Sequence, residues 1–105
     1  MLIYHITSRQ EWTAQKPQKI YVSTGYAQDK FIHCSTAAQV WPVANNFYFG
    51  VRDLVVLQID TDRLEVQPVF ENLEGGSELF PHLYSPIPIA AVRKAVEFYI
   101  GPEQR

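Results

Sequence analysis

The chain has 105 residues, 47% of them hydrophobic, enough for one packed core and too apolar for a disordered segment. Nine Lys and Arg against eleven Asp and Glu leave a formal charge of −2, which gives no basis for non-specific binding of nucleic acid. No apolar run reaches the roughly 20 residues of a membrane span, and the start lacks the basic flank of a signal peptide, so the expected setting is the cytoplasm, away from membranes. The single cysteine, Cys34, excludes an internal disulfide and any multi-cysteine zinc site.

Residues 2–6 are β-branched or aromatic apart from one histidine, and the run predicts a short strand. Ser8 and Glu11 have the spacing of a capping box, in which both side chains serve backbone N–H groups at the start of a helix through about residue 15. Pro17 ends that helix, and residues 20–22 read as a brief extended piece before the turn-rich Ser23-Thr24-Gly25. A second strand is predicted over 31–34. Thr36 and Gln39 repeat the capping-box spacing ahead of a helix in which Val40, Val43, Ala44, Phe47 and Tyr48 recur at helical intervals, with Pro42 inside it.

Residues 54–59 are apolar almost throughout, as in a central strand buried on both faces. Residues 66–70 read as a strand that Pro68 pushes to a sheet edge, and 71–78, with Gly75-Gly76, as a loop. Extended chain over 79–87, a helical turn at 88–92 and a closing strand over 95–100 complete a single α+β domain.

One pattern occurs twice: His5-Ile6-Thr7 and His33-Cys34-Ser35, each a histidine and a hydroxyl two residues apart at the end of a strand that runs into a capped helix. Alternation along a strand puts each histidine on the same face as its hydroxyl, and the helix N-termini that follow favour an anion. Two such strands side by side would border one polar cleft. The hydroxyls have an equally complete reading as helix caps. His33 and the adjacent Cys34 point to opposite faces, which rules them out as a base and nucleophile pair and leaves Cys34 a buried structural thiol. The third histidine lies in Glu78-Leu79-Phe80-Pro81-His82-Leu83-Tyr84, where Pro81 argues against a helix. His5, His33, His82 and Glu78 have no close ligand spacing, so no metal site is expected.

These blocks, together with 43–48 and 54–60, resemble the bacterial family catalogued as domain of unknown function 952, over nearly the whole chain. Lys30 and Ser85 stand where members commonly have glycine. That family in turn is similar to the ADP-ribosyltransferase superfamily, which implies a split, mixed sheet over residues 1–105 with a nicotinamide dinucleotide (NAD) in its cleft. By that resemblance His5 and Thr7 hold the nicotinamide-side ribose and Glu78 steadies the ribosyl cation during transfer. His33 with Ser35 meets a phosphate or the second ribose, and His82 and Tyr84 complete the nucleotide-binding set. The catalytic trio is then Glu78, His5 and His33, and the expected partner is a small nucleotide. His33 and His82 also resemble the histidine-rich site of RNA 2′-phosphotransferases, without its arginines. A binding module that kept the cleft but not turnover is the third reading.

Overall fold

The computed structural model describes residues 1–102. Its first strand, β1 (Leu2–Ser8), ends at an N-cap: the Ser8 hydroxyl accepts from the Glu11 amide at 3.0 Å and opens helix α1 (Arg9–Gln15). The Glu11 carboxylate does not complete the expected box and takes the Thr7 and Thr24 hydroxyls instead. After β2 (Ile20–Tyr21) comes a four-residue helix, α2 (Tyr26–Asp29), too short for periodicity to announce. It stops at Lys30, whose φ of 70° is the left-handed turn that glycine adopts without strain.

Strand β3 (Ile32–His33) leads to α3 (Ala37–Phe47), where Thr36 and Gln39 form the full capping box that their spacing predicts. Pro42 sits in the interior of α3 without delaying its start, so the helix forgoes one backbone bond and is held by burial of Val40 and Ala44. Strand β4 (Leu54–Asp60) is buried along most of its length, as its unbroken apolar run requires. A 3₁₀ turn (Thr61–Arg63) leads to β5 (Val69–Glu71), which begins just after Pro68, where N–H donors resume. The extended stretch that follows divides into β6 (Phe80–Leu83) and β7 (Ile87–Pro88). A second 3₁₀ turn (Ile89–Ala91) starts after Pro88 and precedes β8 (Val92–Phe98).

The sheet is split: β1-β4-β8 form one piece, β2-β7 a second and β3-β6-β5 a third. Where the resemblance implies mixed directions, every ladder within these pieces runs antiparallel. Each hydrogen-bonded pair is joined by a connection that returns the chain in the opposite sense, so no right-handed crossover is required. The β1-β4 register pairs Ile3 with Ile59, His5 with Leu57 and Thr7 with Val55. Ile3, Val55, Leu57 and Ile59 face a larger core with Tyr21, Ile32, Cys34, Leu83 and Ile87. Ile6, Leu54 and Val56 face a smaller one closed by Val40 and Ala44 of α3. β1 is thus buried on both sides, and its polar residues at 5 and 7 lie inside the protein.

Candidate functional site

The β1 and β3 segments are locked together by reciprocal backbone bonds between Tyr4 and Ser35, at 2.8 and 2.7 Å, and by His5 Nδ1 on the His33 carbonyl at 2.7 Å. β3 is in turn laddered to β6, with His33 opposite His82. The two histidine-and-hydroxyl segments therefore converge, and the third histidine joins them. All three imidazoles, with Thr7 and Ser35, line one cleft of about 790 Å³.

The two sides of this cleft differ in what they leave free. On the β1 side, the His5 Nδ1 faces a carbonyl, which can only accept, so it carries the proton of the neutral ring. Nε2 lies 3.1 Å from the Tyr21 hydroxyl, that hydroxyl 2.8 Å from Thr7 Oγ1, and Thr7 Oγ1 2.7 Å from Glu11 Oε1. Burial is the main cause of the downward shift of the His5 pKa from 6.5, and it pushes the Tyr21 phenol well above its ordinary range. With both ring nitrogens engaged, His5 has none left to hold a ribose. Thr7 is likewise bound to Tyr21 and Glu11.

The opposite side is built from Phe31, His33 and β5-β6. Phe31 stacks on His82 with ring centroids 4.2 Å apart and an interplanar angle of 22°, and it tilts against His33 at 4.7 Å. The His33 and His82 rings meet edge to face at 5.3 Å. His33 is exposed, with Nε2 3.4 Å from Asp29 at the end of α2. His82 is buried and places Nδ1 2.9 Å from Glu71 Oε2, and the Tyr84 hydroxyl donates to the same carboxylate oxygen. The hydrogen bond from Tyr84, followed by that from His82, holds Glu71 below the ordinary carboxylate value of 4.5. A carboxylate fixed on Nδ1 orients the ring and leaves Nε2 as the nitrogen that can address the cleft, the geometry of a general base.

Glu78 is elsewhere. It is exposed, accepts from Gln39 Nε2 at 3.3 Å, and is not part of the cleft lining, because the 72–78 turn carries it outward over the start of α3. Tyr84 is not on the lining either and acts on the site through Glu71. The carboxylates that do reach the cleft are Glu11, which the spacing gives to a cap, Glu71 and Glu74, which it gives to a loop, and Asp29, which no pattern singles out. Phe31 reads from the sequence only as a strand residue, and Tyr21 as a ring that either stacks on a ligand or lies on a strand edge. Cys34 lies in the core, where burial raises its thiol pKa. Among the described residues no group of three or more His, Cys, Asp or Glu side chains is placed to hold a metal ion, and no helix is long and apolar enough to cross a membrane.

Comparison with solved structures finds this architecture in protein CC0527 from Caulobacter crescentus. Its crystal structure matches with a TM-score of 0.81 and 35% identity over 92% of this chain and 85% of that one. Its solution NMR structure gives 0.79 and 34% over 93% and 84%. No curated protein matches the chain. The model of the family described as "Protein of unknown function (DUF952)" matches residues 6–95, and the chain belongs to that family.

Proposed function

We propose that the cleft binds an ADP-ribose-containing nucleotide, NAD in the first instance, and cleaves or transfers at its nicotinamide-side ribose. One observation carries this reading. Three imidazoles, a stacked phenyl ring and the carboxylates of Glu11, Asp29, Glu71 and Glu74 share a cleft whose described lining includes no Lys or Arg. Such a lining suits positive charge, first that of a pyridinium ring and then that of a ribosyl cation. The phosphates of the ligand would lie away from the carboxylates, toward solvent.

In the reaction, the bond from ribose C1′ to the ring nitrogen breaks with both electrons leaving on nicotinamide, which departs neutral. Positive charge on C1′ and its ring oxygen is met by Glu71 in the role that Glu78 was expected to fill. A water or an acceptor hydroxyl then bonds to C1′ and gives up its proton to His82 Nε2, whose ring Glu71 orients through Nδ1. His33, exposed beside Asp29, is free to contact the second ribose. The 2′-phosphotransferase reading is less favoured, because it would bring a dianion among carboxylates with no lysine or arginine to receive it.

Titration calorimetry with NAD, ADP-ribose and a 2′-phosphorylated oligonucleotide, with chromatographic assay of released nicotinamide, tests this. Binding of NAD with release of nicotinamide supports transfer or cleavage, and Glu71→Gln then retains binding while losing release. Heat without product supports the nucleotide-binding module. No heat and no chemical-shift change at residues 3–7 and 31–36 overturns the reading.

A further inference from the structure

The buried contacts between His5 and Glu11 contain more hydrogen-bond gaps than hydrogens, and this deficit has a chemical consequence. Three gaps lie in series: His5 Nε2 to Tyr21 oxygen at 3.1 Å, Tyr21 oxygen to Thr7 Oγ1 at 2.8 Å, and Thr7 Oγ1 to Glu11 Oε1 at 2.7 Å. At one end, the His33 carbonyl fixes a proton on His5 Nδ1 and removes it from the inventory. At the other, Glu11 Oε2 is taken by the Thr24 hydroxyl. With a neutral imidazole and an ionised carboxylate, only the tyrosine and threonine hydroxyl protons remain to fill three gaps. One gap would then hold facing lone pairs among side chains that are 0%, 6% and 7% exposed for Tyr21, Thr7 and His5.

One added proton fills every gap. It can sit on Glu11, with each hydroxyl donating toward His5, or on His5 Nε2, with each hydroxyl donating toward Glu11. The two arrangements interconvert when the Nε2 proton passes to the tyrosine oxygen, the phenol proton to Thr7 and the Thr7 proton to Glu11; no charge or atom is left over. We infer that Glu11, Thr7, Tyr21 and His5 form one proton-sharing chain that holds a single common proton, with the Glu11 carboxyl as its end at the cleft. His5 is then a positioning residue that touches no ligand.

The surroundings favour sharing over separate titration. Opposite His5 and Thr7, β4 presents Leu57 and Val55, which carry no charge. β2 contributes Tyr21 itself, and β3 contributes His33, which when protonated disfavours an imidazolium at His5, and the buried Cys34. From α1 comes Glu11, which favours it, and Tyr48, at the end of α3, is the remaining titratable neighbour that responds to Glu11. Asp29 is engaged with His33.

The test is made on the ligand-free protein, so its outcome is separate from that of the NAD reading. The ring nitrogens of His5 and the carboxyl carbon of Glu11 are followed by NMR from acid to mildly alkaline pH. A shared proton requires both to change at one midpoint in the wild-type chain. Thr7→Val and Tyr21→Phe remove a link and are expected to split that midpoint into two, whereas Thr7→Ser keeps the hydroxyl and keeps the single midpoint. Two midpoints in the wild-type chain, or one midpoint that survives Thr7→Val, would overturn the inference. If Tyr21→Phe does not fold, the pair Thr7→Val and Thr7→Ser decides it.

Discussion

On the β1 side of the cleft the polar groups are turned upon one another: both nitrogens of His5 and the hydroxyls of Tyr21 and Thr7 are engaged within the protein. On the β3-β6 side, His33 is exposed beside Asp29 and His82 is oriented by only one of its nitrogens. The difference follows from where each strand lies. β1 is covered on both faces, so any polar side chain it carries must find partners inside, while the β3-β6-β5 piece has β5 as an edge and opens toward solvent. A histidine at a strand end is therefore not one kind of residue: the same sequence pattern yields a structural relay at His5 and an exposed imidazole at His33.

The largest effect expected is on the closed wall. Tyr21 is fully buried, and Tyr21→Ala should cost about 3–5 kcal/mol from lost packing, read as a fall in the thermal midpoint of roughly 4–8 °C per kcal/mol. Tyr21→Phe keeps the ring and should cost about 1–3 kcal/mol, since His5 and Thr7 then each lose a buried partner. A melting curve unchanged by either would mean that the two walls do not differ as described. The open wall should behave in the opposite way. Glu71→Gln, which spoils the orienting contact on His82, is expected to lower any turnover by about 10²-fold or more while lowering the thermal midpoint far less than Tyr21→Ala does.

Acid should separate the walls as well. Burial depresses the folded-state pKa of His5 below 6.5, so the common proton of the β1 chain enters the folded protein at a lower pH than a proton enters the unfolded imidazole, and stability falls as the pH drops from 6.5 toward that shared midpoint. His5→Gln should flatten this limb in pH-dependent melting. Glu71 is depressed below 4.5, so its contribution is complete above that value and is lost only as the pH falls through the lower, folded-state pKa. Tyr84→Phe removes the larger cause of the depression, and the carboxyl-carbon midpoint of Glu71 should rise toward 4.5; His82→Ala should raise it less.

The same contrast decides what could be read from the residues alone. The strands at β1 and β4, the caps at Ser8 and Thr36, and the helix α3 are local patterns, visible in a window of a few residues, and they appear where their patterns predict. Convergence of His5 and His33 was legible as a possibility because each pattern ended at a helix start. What joins them is not local: the Tyr4-Ser35 bridge spans 31 positions, and the Val69-His82 pairing that brings Glu71 beside His82 depends on how a glycine turn folds back. Glu11 was hidden for a different reason. A residue three after a serine cap has a sufficient local role, so nothing in the spacing signals that its carboxylate turns away from the Ser8 amide toward Thr7. Glu78 was assigned through the resemblance, as the match for the late acidic residue of that superfamily, yet whether it faces the cleft is set by the 72–78 turn, where Asn72 accepts from the amides of Glu74 and Gly76.

The smallest expected effect concerns the rim between the walls. Lys30 ends α2 with φ at 70°, one residue from the Asp29 that meets His33. A non-glycine residue in this region carries about 1–2 kcal/mol of strain, and glycine would remove it. Glycine also enlarges the conformational freedom of the unfolded chain, which takes back about 0.4–1 kcal/mol. The difference favours Lys30→Gly by about 0–1.6 kcal/mol. Denaturant titration should therefore show a small rise in midpoint with the slope unchanged. A fall would mean that the Lys30 side chain contributes a contact worth more than the strain, and that the rim of the cleft is held by α2 more tightly than its four residues suggest.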